Sequence, residues 1–178
     1  MRIQFYNEVG LLSERLRNYR FLAALIIIII TGILMYTVYT RIYPLHFEVA
    51  GEFLHHWFSW AGVLFVAVFI PIFHVLKRRY TKHYRALLDV HIFGNLVAVA
   101  LVSIHFTQQI TRPLVAYPDL GTGVVLYPTM LLLVSAGFVL GFQLAKTRYR
   151  AWRFFHTSLA VTFYMVIIVH ILHGLELI

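Results

Sequence analysis

The sequence WRFFHTSLAVTFYMVIIVHILHG, residues 152–174, is long and apolar enough to cross a lipid bilayer as a helix. Of its three histidines, His156 and His170 are fourteen residues apart. Fourteen residues make about 3.9 helical turns, so both rings leave the same side of the helix, with α-carbons about 21 Å apart. This distance predicts one imidazole near each face of a hydrocarbon core about 30 Å thick.

The same spacing recurs earlier in the chain. His91 and His105 are also fourteen residues apart, and they too lie within an apolar run. Two helices that carry matched pairs of imidazoles can face each other and clamp two flat, metal-centred groups, one above the other. Ionisable side chains inside a membrane are costly, and they usually mark a functional path.

Composition identifies an integral membrane protein. Hydrophobic residues make up 61% of the chain and charged residues 12%, about half the charged share of a soluble domain. Because cysteine is absent, the chain itself offers no thiolate ligand for an iron–sulfur cluster and no cysteine nucleophile. The net charge of +8 does not indicate nucleic-acid binding, since the basic residues cluster in loops on alternate sides of the apolar runs.

The apolar runs predict an all-α bundle of five transmembrane helices in the cytoplasmic membrane. The expected spans are residues 21–39, 53–76, 86–110, 123–145 and 152–178. Thirteen Lys and Arg residues fall on one side of the bilayer and two on the other, which predicts a cytoplasmic N-terminus and an external C-terminus. Residues 1–20 are expected to be a cytoplasmic segment with a short surface-lying helix, and residues 21–178 a single transmembrane domain.

With this topology the third and fifth spans run in the same direction. His91 and His156 then lie near the cytoplasmic side, and His105 and His170 near the outer side. Each level offers the two axial ligands of a six-coordinate haem iron, so the sequence predicts two b haems. The simpler alternatives are hydrogen bonding between helices and a bare metal site. Asp89 is the one acidic residue near this region, which makes a carboxylate-containing metal site the weaker choice.

The second span leaves further choices open. His56 and His74 are eighteen residues apart, or five helical turns, and are expected to share a face. They could replace the third-span ligands, bind an additional haem, or lie near haem edges and a quinone. The third-span pair is favoured by its matching spacing and by Gly94, which would give a porphyrin room. His55 is expected to face headgroups or water. His173 is expected to contact a propionate or a quinone.

The third and fifth spans resemble the ferric reductase-like transmembrane family, which includes the membrane part of NADPH oxidases. The resemblance rests on His91-Ile-Phe-Gly94 with His105, and on Phe155-His156 with His170. It covers about fifty residues. It implies that these histidines ligate two b haems stacked across the membrane. The chain departs from the family in having five spans rather than six, and no loop long enough for a flavin or nicotinamide domain. The first two spans, with His56, more weakly resemble the quinone-linked cytochrome b subunits that anchor oxidoreductases.

These features together predict a di-haem b-type cytochrome, an electron-transfer subunit rather than a complete enzyme. It is expected to be the membrane subunit of a respiratory complex. The predicted partners are quinone and an iron–sulfur, flavin, molybdenum or cytochrome subunit. One alternative is a stand-alone reductase of ferric iron, oxygen species or an extracellular acceptor. Another, from a different class, is a haem-free transport or scaffold protein.

Overall fold

The computed structural model describes residues 2–42, 48–113, 121–174 and 177, with the backbone alone for residues 2–17 and 52. Its helices are α1 (Arg2–Tyr39), α2 (Leu54–Leu64), α3 (Ile70–Arg79), α4 (Tyr84–Ile110), α5 (Gly123–Gly141) and α6 (Tyr149–Gly174). A hairpin of two short antiparallel strands, β1 (Glu48–Val49) and β2 (Glu52–Phe53), precedes α2. Short 3₁₀ turns, Thr81–His83 and Lys146–Arg148, precede α4 and α6.

The predicted five-helix membrane architecture is confirmed. Five helical segments of the described chain are long and apolar enough to cross a membrane: Asn18–Tyr39, Leu54–Arg79, Thr81–Ile110, Gly123–Gly141 and Lys146–Gly174. Much of their surface is apolar and uncovered by protein; Ile29, for example, is 60% exposed. Such a surface requires lipid around it. Residues 2–17 continue α1 without a break, and their predicted place at the membrane surface stays a prediction.

The second span is interrupted by a π-helical turn, Phe65–Phe69, between α2 and α3. Pro71 follows it closely, and proline has no N–H to donate and clashes with the carbonyl four residues before it, here Ala67. A wider turn relieves that clash and inserts about one extra residue into the helical register. Side chains before and after the turn therefore lose the phase relation that an uninterrupted helix would give them.

Helix α4 is the centre of the bundle and packs against α1, α2 and α5, while α6 packs against α5. Among the described residues α4 and α6 form no extended contact, so a cleft lies between them. One polar contact holds α1 on α4, and another holds α5 on α4. Arg20 of α1 forms an ion pair with Asp89. The Tyr127 hydroxyl of α5 donates to Ser103 Oγ, 2.9 Å away, inside the bundle.

The two ends of the bundle differ in charge. One, here called the basic end, carries the connections before α4 and α6. Its Lys and Arg residues are Lys77, Arg78, Arg79, Lys82, Arg85, Lys146, Arg148, Arg150 and Arg153. The other, the hairpin end, carries the β1–β2 hairpin, together with Arg41 and Arg112. The positive-inside rule predicts that the basic end is cytoplasmic.

This orientation can be tested with single cysteines, because the chain has none of its own. In oriented vesicles or intact cells, a membrane-impermeant maleimide should label Val49→Cys at the hairpin end without permeabilisation. It should label Lys82→Cys at the basic end only after permeabilisation. Both positions are exposed. The opposite pattern of labelling would reverse the predicted topology.

Candidate functional site

The cleft between α4 and α6 contains a cavity at the basic end, with His91 on one wall and His156 on the other. Their ring centres are 6.5 Å apart and the ring planes are almost perpendicular, at 86°. The cavity measures about 70 Å³, and its remaining lining is mainly aliphatic and aromatic. This space, called the basic-end cavity below, is smaller than a typical cofactor site of about 300–1,000 Å³, so a cofactor between the two rings would require α4 and α6 to move apart.

The orientation of His156 is fixed by α5. Its Nδ1 lies 3.1 Å from the Leu133 carbonyl oxygen. A carbonyl can only accept, so Nδ1 carries the proton and donates it, and Nε2 keeps a free lone pair. Metal-binding histidines are commonly oriented by such a bond from their other nitrogen. The ring also lies against Gly137, where a Cβ atom would come within 3.0 Å of His156 Cε1.

His91 is held by residues of its own helix and of α3. Its ring stacks on Phe73, with centres 4.6 Å apart and planes inclined by 12°. The Asn95 amide nitrogen donates to the His91 carbonyl oxygen and lies 3.4 Å from the ring atom Nδ1. Both imidazoles of the basic-end cavity are therefore positioned by neighbours from a different helix or the next helical turn.

A second space, the hairpin-end cavity, is lined by His56, His105 and His170, and measures about 410 Å³. His170 again relies on α5, since its Nδ1 lies 2.9 Å from Thr122 Oγ1. A Cβ atom at Gly123 would come within 3.3 Å of the same ring. The Nδ1 atom of His105 is buried, and no residue in the described part of the chain forms a hydrogen bond with it.

Helix α5 has no histidine, yet it accommodates His156 and His170 of α6. Gly123 and Gly137 are fourteen residues apart, matching the separation of His170 and His156 on the antiparallel neighbour. Each glycine leaves room for one imidazole, and a nearby oxygen binds the Nδ1 of the same ring. The sequence interpretation missed these glycines, although their spacing was visible in the sequence.

The two cavities share part of their walls. Val66, in the π-helical turn, and Phe163, midway between His156 and His170, line both of them. Phe163 is 3% exposed. The Tyr164 hydroxyl donates to the Val66 carbonyl, 2.9 Å away, which ties α6 to the π-helical turn across the cleft. Only apolar side chains and this bond separate the two spaces at that point.

His55 corrects one sequence-based prediction. It was expected to face headgroups or water, but it is buried, with 4% of its surface exposed. Its ring centre lies 5.4 Å from that of His105 and 4.3 Å from that of His56. Sequence periodicity assigned His55 to an outward face because it could not show the hairpin that folds beside the first turn of α2.

The predicted face shared by His56 and His74 does not form. His56 lines the hairpin-end cavity, whereas His74 is exposed beside Arg78 and Arg79. The π-helical turn between them changes the helical phase, and this explains the difference. Phe73, next to His74, takes the inward position against His91.

Gly94 and His173 do not line the two cavities, and their predicted roles beside a porphyrin, a propionate or a quinone stay predictions. A Cβ atom at Gly94 would overlap the Phe65 ring, so this glycine accommodates an aromatic neighbour and does not line the basic-end cavity. His173 is exposed at the end of α6, close to Gly121, and is not among the residues that line either cavity.

No protein-family model matches the sequence, and no curated protein or solved structure is similar to it. The resemblance to ferric reductase-like membrane domains therefore stays a prediction.

The role of Gly137 can be tested with a matched pair of variants. Gly137→Val should push the His156 ring from its place and lower stability by about 1–3 kcal/mol, the usual cost of overpacking. Gly32→Val is the control, because this helical glycine has open space where its side chain would go. Thermal unfolding in detergent compares the two. Equal effects would mean that Gly137 does not accommodate His156.

Proposed function

We propose that this chain is a di-haem b-type cytochrome of the cytoplasmic membrane, which carries electrons between the two ends of the bundle. The main support is the geometry of His91 and His156. A metal–nitrogen bond of about 2 Å and about 1.1 Å from nitrogen to ring centre put two axial imidazole centres about 6 Å apart. The ring centres here are 6.5 Å apart.

The surroundings of this pair support haem over a bare metal ion. The basic-end cavity lies between helices that do not pack together, and apolar side chains line most of it. Among the described residues, no group of three close metal-ligating side chains includes His91 or His156. Two imidazoles that face each other across an apolar cleft suit a flat cofactor that brings its own four equatorial nitrogens. Haem supplies one-electron redox chemistry.

At the hairpin end, His105 and His170 are the proposed ligands of the second haem. Both line the larger cavity, and the Thr122 hydroxyl orients His170. Gln109 and Arg112 line the same space and offer an amide and a positive charge for carboxylate groups. The buried, unpartnered Nδ1 of His105 is a further sign that this ring awaits a partner.

Electron transfer between the two levels is supported by the wall that the cavities share. Val66 and Phe163 border both spaces, so no helix or polar layer intervenes there. The fourteen-residue spacing keeps the metal centres about 20 Å apart, while the edges of the cofactors would be much closer. The chain's contribution is to hold both cofactors in a low-dielectric bundle and to fix their axial ligands.

At the basic end we propose exchange of electrons with a quinone or a partner subunit. His74, Arg78 and Arg79 line an open pocket at the bundle surface. Phe73, the residue before His74, is buried inside the bundle and stacks on His91. A quinone head group in this pocket could hydrogen-bond to His74 and would be one aromatic ring away from a haem ligand. The surrounding Lys and Arg residues suit an acidic partner protein or anionic lipid.

The basic-end ligands are tested by three alanine variants. His91→Ala and His156→Ala should each lower the content measured as the pyridine haemochrome from two b haems per chain to one. Both should remove the same spectral component, because both rings face one cavity. His74→Ala, on the exposed face, should keep both haems. Loss of haem in His74→Ala with retention in His91→Ala would contradict the assignment.

The hairpin-end ligands call for a separate comparison. His170→Ala should remove the haem that His156→Ala retains, so the difference spectra of the two variants should add up to that of the unmodified protein. His173→Ala is the neighbouring control and should keep both haems, since His173 lines neither cavity. If His170→Ala and His156→Ala abolish the same component, the assignment to two levels is wrong.

A further inference from the structure

Three histidines gather at the hairpin end of the bundle. His55, His56 and His105 each offer a ring nitrogen, and these nitrogens all lie within 4.8 Å of one another. The ring centres are 4.3 to 5.4 Å apart. Within the described ranges, no other three residues of metal-ligating type come so close. The separation of His105 from His55 and His56 is about fifty residues, so this group results from the tertiary fold.

The fold builds this group from a constrained segment. In the hairpin, Ala50 and Gly51 both have positive φ, as a two-residue turn requires. The Trp57 indole N–H donates to the Val49 carbonyl, 2.8 Å away, and fixes the hairpin on the first turn of α2. Phe53 stacks on His55, with ring centres 5.7 Å apart. His55 and His56 are thereby held against His105 on α4.

The polarity and ligand chemistry of imidazole favour a metal site over a packed aromatic cluster. An aromatic cluster gains little from three imidazoles, since burying each polar ring costs free energy. Three neutral imidazoles are, however, the ligand set of a zinc site with an open fourth position. On a tetrahedral ion, ligand nitrogens lie about 3.3 Å apart, so the rings would have to close by up to about 1.5 Å. Side-chain rotation supplies movements of this size.

We propose that His55, His56 and His105 bind one divalent transition-metal ion of the Zn²⁺ or Cu²⁺ class, with a fourth position open to an external ligand. The adjoining pocket is lined by His55 together with Arg41 and Arg112. Their charges weaken cation binding, and they favour an anion such as hydroxide as the fourth ligand. Imidazole ligands without thiolate or carboxylate suit these borderline ions.

This site and the second haem compete for the same side chain. A neutral imidazole has one nitrogen with a free lone pair, so His105 cannot ligate the metal ion and also pair with His170 at the haem without losing its N–H proton. This competition rests on the proposed function, which places a second haem between His105 and His170. The hairpin end would then have two mutually exclusive states. In one state it holds a haem and passes electrons. In the other it holds a metal ion, and the electron path ends at the basic-end haem.

The test uses the full-length His170→Ala variant, which removes one axial ligand of the second haem and leaves all three metal ligands. After treatment with a chelator, isothermal titration with Zn²⁺ should give one equivalent bound per chain. Adding His55→Ala or His56→Ala to this variant should weaken binding at least tenfold. Adding His83→Ala, an exposed histidine at the basic end, should leave it unchanged. No binding in the His170→Ala variant, or binding insensitive to His55 and His56, would overturn the proposal.

A second measurement does not depend on any variant. Unmodified protein prepared with and without haem supplementation is analysed for zinc and for b haem. Zinc per chain should rise towards one as haem falls from two to one. Two haems together with one zinc would disprove the competition, and one haem without zinc in zinc-containing buffer would disprove the site. Failure of the proposed function would differ, because the spectrum of the basic-end haem would then be missing from every sample.

Discussion

Imidazole side chains inside an apolar bundle need a hydrogen-bond partner or a metal ion, and the packing of the helices around the histidines reflects this constraint. A polar group in hydrocarbon without a hydrogen bond or a metal costs several kcal/mol, roughly as much as the net stability of many small domains. Here His156 and His170 of α6 each have Nδ1 close to an oxygen of α5 or of the residue just before it, and His91 has Asn95 and Phe73 beside it. We propose that the opposite ring nitrogens bind the cofactor in the cleft between α4 and α6.

Helix α5 supports the site without contributing a ligand to it. Gly123 and Gly137 bring its backbone close to His170 and His156, and the helix also packs on α4, so it sets the width of the cleft. The π-helical turn of the second span has a similar supporting role. It moves His74 to the surface and Phe73 towards His91, and its Val66 carbonyl receives the Tyr164 hydroxyl. Close packing of glycine with imidazole and a local change of helical register therefore decide which histidines face each other.

The sequence predicted what depends on length, hydropathy and regular periodicity. The number of spans, their approximate ends and the facing of His91 with His156 all follow from regular helices about 20 residues or more in length. Predictions from periodicity were wrong in the second span, where a π-helical turn interrupts the helix and a hairpin lies beside its first turn. Periodicity assigned His74 to the face of His56 because it ignored the π-helical turn before Pro71, and it turned His55 outwards because the hairpin was not expected. The place of Gly94 depended on one aromatic neighbour, Phe65, which spacing does not reveal. The haem itself, the quinone and the partner subunit remain proposals.

The central claim is that His91 and His156 are the two axial ligands of one haem, with their rings nearly perpendicular. Electron paramagnetic resonance of the oxidised protein tests it directly. In the His170→Ala variant, which should keep only the basic-end haem, the account predicts a strongly anisotropic low-spin ferric signal, as perpendicular imidazole ligands produce. A high-spin ferric signal, or no haem signal at all, would contradict the account.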